Sequence, residues 1–89
     1  MIIKKLLTEF FGTFIFLGVI LTTGQAFPIG LALATSIYFG GSISGGHFNP
    51  AVTIMMLFGK KINIQDAVFY IIAQVIGGLC VLGFVKHLK

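Results

Sequence analysis

A glycine pair in an otherwise apolar sequence marks the segment whose residue types could do chemistry. The segment is residues 44–51, Ser-Gly-Gly-His-Phe-Asn-Pro-Ala. Glycine adopts backbone angles that other residues resist, so this stretch predicts irregular backbone rather than helix. Such backbone leaves carbonyl oxygens without helical partners. We therefore expect residues 45–48 to offer carbonyl oxygens to a polar guest.

An Asn-Pro-Ala sequence follows the glycine pair after two intervening residues. Asn is a favoured N-cap and Pro is favoured at the first helical position. Asn49, Pro50 and Ala51 therefore predict the start of a helix whose positive dipole end points inward, and the Asn49 amide can donate hydrogen bonds to the guest. A helix that is capped and does nothing more is the alternative. The position between two apolar runs, after two glycines, favours the functional interpretation.

Glu9 and Gln74 are polar side chains within apolar runs. A carboxylate in an apolar span is costly and marks a functional or structural polar site. Two interpretations of Glu9 are open: it lies near the membrane surface and pairs with Lys5 one turn earlier, or it points inward and accepts hydrogen bonds from the backbone around residues 44–48. Gln74 needs hydrogen-bond partners in a low-dielectric interior.

Residues suited to catalysis or metal binding are few. Glu9 in a span, His47 in the loop and Cys80 alone make no nucleophile–base pair and no metal cluster. His87 lies in a basic tail. The sequence therefore predicts a protein that is not an enzyme and that holds no metal or cofactor.

The composition indicates the environment in which these residues must be positioned. Of 89 residues, 57% are apolar and 9% are charged, against roughly 25% charged in an average soluble domain. A soluble fold of this size buries only about 60% of its surface, and this chain lacks polar residues to cover the remainder. Its six lysines flank apolar runs, as in membrane proteins. They form no single basic face of the kind that nucleic-acid binding requires.

Three apolar runs are long enough to cross the roughly 30 Å hydrocarbon core of a bilayer. We predict spans at about residues 6–25, 27–43 and 66–86, with a re-entrant loop and half-helix at about residues 44–59. A cleaved signal peptide is an alternative for the first run, but Glu9 fits it poorly. The predicted fold class is an all-α membrane protein with three transmembrane helices and one re-entrant half-helix, in a single domain over residues 1–89.

Three segments resemble the aquaporin and glycerol-facilitator family, also called the major intrinsic protein family. Residues 44–53, SGGHFNPAVT, are similar to its first-repeat signature. Residues 8–14, TEFFGTF, resemble its opening span, and residues 70–78, YIIAQVIGG, resemble its third span. Members normally carry two inverted repeats, each with its own half-helix. The resemblance therefore implies one half of an aquaporin-like fold.

The resemblance also implies roles for single residues. Asn49 would donate to water or a small solute at the channel centre, and Pro50 with Ala51 would start the half-helix. The carbonyl groups that would form one side of a polar track belong to Gly45, Gly46 and His47, and the side chains that would brace the loop are Glu9 and Gln74. Ile29 aligns where many members place a filter aromatic, and Val52 stands where second repeats carry an arginine. The chain has no arginine, so the resemblance implies a less polar filter.

One repeat leaves irregular backbone facing lipid, which is expensive. We therefore expect an antiparallel homodimer, or a higher oligomer of it, related by a two-fold axis in the membrane plane. It would be a passive channel for water or small uncharged solutes in the cell membrane. The lysines give only a weak orientation bias under the positive-inside rule, and so permit both insertions. A half-channel needing a different partner chain, an inactive truncated fragment and a non-channel membrane protein are alternatives.

Overall fold

The computed structural model describes residues 1–88, which form four α-helices. They are α1 (Ile2–Thr23), α2 (Ala26–Ser44), α3 (Pro50–Phe58) and α4 (Ile64–Leu88). The helices α1, α2 and α4 are long and apolar enough to cross a membrane. The nine residues of α3 extend about 13 Å, less than half of the hydrocarbon thickness. The predicted fold class, all-α with three long helices and one half-helix, is confirmed.

Glycines end the first two helices. Gly24 takes the left-handed conformation (φ 61°) and its N–H bonds to the carbonyl of Ile20. Gln25 is extended, so α2 runs back alongside α1, and α1 ends two residues before the predicted end of the first span. Gly45, also left-handed (φ 93°), ends α2 in the same way. Both positions need positive φ, which glycine adopts at little cost.

The half-helix has a cap at each end. Asn49 is its N-cap and Pro50 its first residue. At its other end the N–H of Lys61 bonds to the carbonyl of Met56 at 2.8 Å, which is the six-to-one bond of a Schellman motif. Asn63 then caps α4, since its Oδ1 accepts from the N–H of Asp66 at 2.8 Å.

Helix α1 is central: it packs against α2 on one side and α4 on the other, while α3 packs against α4. We call the end where α1 begins the amino side and the opposite end the carboxyl side. The chain order places the end of α2, the end of α3 and the start of α4 on the amino side. Four lysines therefore lie there, namely Lys4, Lys5, Lys60 and Lys61.

The contact between α1 and α4 depends on a missing side chain. A Cβ added at Gly77 would lie 2.8 Å from the backbone carbonyl oxygen of Phe10, so the two helices approach at van der Waals distance only because position 77 is glycine. Small residues allow such close approach between helices in lipid.

We expect Gly77→Ala to destabilise the fold by about 1–3 kcal/mol, because backbone atoms would have to move apart. The measurement is unfolding in sodium dodecyl sulfate followed by far-ultraviolet circular dichroism. Gly83→Ala is the matched control on the same helix, since a Cβ there would meet no atom within 4 Å. Equal unfolding midpoints for the two variants would contradict the expected role of Gly77.

Candidate functional site

A buried carboxylate organises the loop between α2 and α3. Glu9 is 0% exposed, and its Oε2 accepts hydrogen bonds from Ser44 Oγ at 2.8 Å and from the His47 N–H at 3.0 Å. Its Oε1 accepts from the Phe48 N–H and from Gln74 Nε2, both at 2.8 Å. Of the two interpretations of Glu9, the structure has the inward one. Hydrogen bonds to an ionised acceptor are the strong kind, so this residue ties α1, α4 and the loop together.

A second polar chain runs from Gln74 to the loop histidine. Gln74 Nε2 also donates to Thr53 Oγ1 at 2.9 Å, and Thr53 Oγ1 lies 2.9 Å from His47 Nδ1. Because the Thr53 oxygen accepts from Gln74, its own proton is available to His47, which assigns the histidine proton to Nε2. Thr53 is fully buried. It is the polar side chain of an otherwise apolar half-helix, and that is the sequence signal by which it could have been found.

Tyr70 closes this polar cluster from the side of α4. Its hydroxyl donates to the Ser44 carbonyl at 2.6 Å, and its ring lies against the His47 ring with centroids 5.0 Å apart. A buried tyrosine hydroxyl usually finds such a partner. No spacing in the sequence pairs Tyr70 with Ser44, so this contact was missed.

Phe48 inserts its ring between α1 and α2. A Cβ at Gly12 would overlap the ring, and one at Gly40 would lie 3.2 Å from it. The ring is 2% exposed, and its backbone is left-handed with φ 55°, a conformation costing about 1–3 kcal/mol for a residue other than glycine. The hydrogen bond to Glu9 and the two glycines hold Phe48 in this conformation, and with it the path of the loop.

The oxygen and the nitrogen of the Asn49 side chain have different surroundings. Its Oδ1 accepts from the Ala51 N–H at 2.7 Å, as an N-cap does. Its Nδ2 donates to no residue among those described, and the exposed side chain lines a cavity of about 490 Å³. Pro50 lines the same cavity. The cap therefore orients the amide so that its donor group faces open space.

The other predicted site residues are distributed along the chain as follows. The carbonyl groups of Gly45, Gly46 and His47 accept no hydrogen bond from residues 1–88. Glu9 contacts the loop through backbone N–H groups instead. Ile29 lies in the first turn of α2 on the carboxyl side. Val52 lies in α3, which runs from Asn49 to the amino side. One chain therefore does not bring Ile29 and Val52 together.

The cavity beside Asn49 is a groove between α1 and α4, which we call the α1/α4 groove. Asn49 and Pro50 line it at one end. Its walls are the carboxyl-side halves of the two helices, through the side chains of Phe16, Leu17, Ile20 and Leu21 in α1 and through Val75, Gly78, Leu79 and Leu82 in α4. Thr13 and Gln74 border it, and Thr13 Oγ1 and Gln74 Oε1 are both buried without a hydrogen-bond partner. α3 occupies the amino-side half of this face. The groove therefore lies beyond the N-terminus of α3, in the carboxyl-side half of the same face.

Three apolar helices of spanning length form a bundle. A half-helix lies within it, after a loop that is hydrogen-bonded to a buried carboxylate. This arrangement defines an integral membrane protein with a re-entrant segment. The sequence profile of the family "Major intrinsic protein" matches residues 18–89. Glycerol uptake facilitator protein-like 6 of Lactiplantibacillus plantarum is 48% identical over 92 residues, covering 93% of this chain and 43% of that relative. Probable aquaporin PIP2-7 of Oryza sativa subsp. japonica is 33% identical, covering 93% of this chain and 36% of the relative.

Aquaporin-5 of Ovis aries is 38% identical, covering 86% of this chain and 34% of the relative. The chain therefore belongs to the major intrinsic protein family, as the resemblance of its motifs predicted. It spans 34–43% of the length of these three relatives, which agrees with one repeat of the fold.

Proposed function

We propose that this chain forms a passive membrane channel for water or small uncharged solutes by pairing with a second copy in the opposite orientation. The observation that carries the proposal is the α1/α4 groove, which is open where an inverted copy would insert its own half-helix. The solute class follows from the relatives, whose names are aquaporin and glycerol uptake facilitator. A half-channel that needs a different partner chain, and an inactive fragment, are the competing outcomes.

The dimensions and chemistry of the groove suit a second α3. The half-helix is about 13 Å long and apolar on most positions, and the groove walls are apolar over about 10 Å of helix. The unpartnered Thr13 Oγ1 and Gln74 Oε1 lie where the N-terminus of the inserted half-helix would bring polar groups. A two-fold axis next to Asn49 and Pro50 would bring the two half-helix N-termini together, as isologous pairing requires.

Such a pair would favour neutral solutes. Both half-helices would direct the positive ends of their dipoles at the centre, which disfavours cations. Two Asn49 amides would then donate hydrogen bonds to the solute, and the free carbonyl groups of residues 45–47 would accept hydrogen bonds from the solute. Ile29 of one copy would approach Val52 of the other, and this constriction would have no charge.

Blocking the α1/α4 groove tests the proposal. Liposomes containing the purified chain are expected to shrink under an osmotic gradient faster than empty liposomes, as measured by light scattering. Leu79→Trp fills the groove and is expected to reduce this rate about tenfold, the effect of about 1.4 kcal/mol lost from pairing. Ile76→Trp is the matched control, since Ile76 is exposed on the same helix outside the groove lining.

Orientation is tested in cells with the Cys80→Ser, Lys61→Cys variant. About half of the chains should react with a membrane-impermeant maleimide from outside, because antiparallel pairing needs both insertions. Labelling of all chains or of none would contradict the antiparallel pair. Shrinkage no faster than in empty liposomes, with the chain folded and inserted, would contradict pairing with itself and favour a different partner or an inactive fragment.

A further inference from the structure

We propose that Thr13 and Gln74 recognise the partner chain by accepting hydrogen bonds from the unpartnered N–H groups at the N-terminus of its half-helix. This recognition rests on the proposed function, since it occurs between two copies in which α3 of one fills the α1/α4 groove of the other. The two side chains then select both the helix that enters the groove and the direction in which it lies.

The Thr13 hydroxyl is the exception among the threonines of α1. Thr8, Thr22 and Thr23 each donate to the backbone carbonyl one turn earlier, at 2.7 to 2.9 Å. Thr13 is 1% exposed, and its Oγ1 bonds to no residue among 1–88. Because a buried hydroxyl without a partner is costly, we expect its partner to come from outside the chain.

The Gln74 side chain has only an acceptor left to offer. Its Nε2 donates to Glu9 Oε1 at 2.8 Å and to Thr53 Oγ1 at 2.9 Å, which uses both of its N–H groups. Its Oε1 is buried and has no partner in the part of the chain that the structure describes. An amide oxygen can only accept, so the missing partner must be a donor.

Both oxygens belong to the inner end of the α1/α4 groove. Thr13 is the groove residue of α1 closest to the amino side, and Gln74 is its counterpart on α4. Asn49 and Pro50 line the same end. Toward the carboxyl side the groove walls are apolar, so the two oxygens are the polar feature that an inserted helix meets.

The N-terminus of α3 supplies matching donors. The Ala51 N–H is capped by Asn49 Oδ1, and the Thr53 N–H bonds to the Asn49 carbonyl. The Val52 N–H bonds to no residue among 1–88, and it points out of the helix start as such N–H groups do. The Asn49 amide carries two further N–H groups, of which the solute needs one. One copy therefore offers two donors where the other has two unpartnered oxygens.

The same pairing of donors with acceptors fixes the direction of the inserted half-helix. With its N-terminus at the inner end, its N–H groups and the positive end of its dipole face the two oxygens. The reverse direction would bring carbonyl oxygens against Gln74 Oε1, and an acyl chain would leave both oxygens without partners. Since α3 runs from Asn49 to the amino side of its own chain, its N-terminus meets this end of the partner's groove only when the chains are antiparallel.

Loss of the Thr13 hydroxyl tests this recognition. Chains carrying Cys80→Ser and Lys61→Cys are labelled at residue 61 with a donor or an acceptor dye. Energy transfer is then measured in phosphatidylcholine liposomes as the ratio of chain to lipid is lowered. Thr13→Val keeps the shape of the side chain and is expected to weaken pairing about fivefold, the effect of one hydrogen bond between helices in lipid.

Three comparisons separate recognition from a structural role. Thr13→Ser keeps the hydroxyl and should pair like the unchanged chain. Thr22→Val makes the same change at an exposed hydroxyl of α1 that bonds to the Gly18 carbonyl, and should leave pairing unchanged. The unfolding midpoint of Thr13→Val in sodium dodecyl sulfate should not fall, because the hydroxyl has no partner in its own chain.

The outcomes distinguish this recognition from the pair itself. If Thr13→Val pairs as tightly as the unchanged chain, the recognition is overturned while the pair stands, because a bound water rather than the partner would then serve the hydroxyl. Equal weakening in Thr22→Val would overturn it too, since loss of any hydroxyl from α1 would explain the effect. Absence of energy transfer in the unchanged chain at every ratio would contradict pairing with itself, and the recognition with it.

Discussion

Asn49→Asp is expected to reduce water flux through the reconstituted chain about tenfold while the half-helix stays capped. The carboxylate keeps the oxygen that accepts from the Ala51 N–H at 2.7 Å, and both this N–H and the dipole of α3 favour its ionised form. The donor group that faces the α1/α4 groove is lost, and an acceptor replaces it. The loss of one hydrogen bond to the solute, about 1.4 kcal/mol, accounts for the expected factor.

Two further variants separate the donor from the cap. Asn49→Ala removes both, so it should lose flux and also about 1 kcal/mol of stability. Asn63→Asp makes the same change at the N-cap of α4, whose Oδ1 accepts from Asp66, and should leave flux unchanged. The measurement is osmotic light scattering, with circular dichroism to verify folding. Unchanged flux in Asn49→Asp would show that the amide donor has no part in permeation.

The sequence was sufficient to predict those parts of the fold that local chemistry determines. Gly45, Asn49 and Pro50 act on the backbone within a few residues of themselves, so the irregular loop and the helix start could be placed from residue types alone. The three long helices followed in the same way, since a bilayer demands about 20 apolar residues wherever the chain crosses it.

The contacts that hold the loop could not be predicted in the same way. Phe48 fits because Gly12 and Gly40, on two different helices, face the same point. Thr53 is buried because α3 presents it to both Gln74 and His47. Such contacts between helices depend on the crossing angles of the helices. Those angles are set by packing in three dimensions rather than by spacing along the chain. For the same reason the sequence left two positions open for Glu9. Spacing along α1 allows it to pair with Lys5 at the surface, and only the packing of the helices decides that it faces inward.

Glu9→Gln is expected to release the re-entrant loop, although the two side chains are nearly the same size. Each carboxylate oxygen accepts from one backbone amide, Oε2 from His47 and Oε1 from Phe48. A glutamine has one oxygen and one NH₂ group, so in either orientation it presents N–H to one of these amides. A buried N–H without a partner costs about 1–3 kcal/mol, and the remaining bonds lose their charge assistance.

Hydrogen exchange of the loop amides measures this effect. In the unchanged chain, residues 47 and 48 should exchange slowly, and a loss of about 3 kcal/mol in Glu9→Gln should speed their exchange more than a hundredfold. Asp66→Asn is the matched control, because it removes the other carboxylate and changes the net charge by the same amount without touching the loop. Equal protection in Glu9→Gln and in the unchanged chain would mean that the Phe48 ring, seated between Gly12 and Gly40, holds the loop without the carboxylate. Packing would then hold the loop in place. The presence of a buried carboxylate in α1, which is costly, would need another explanation.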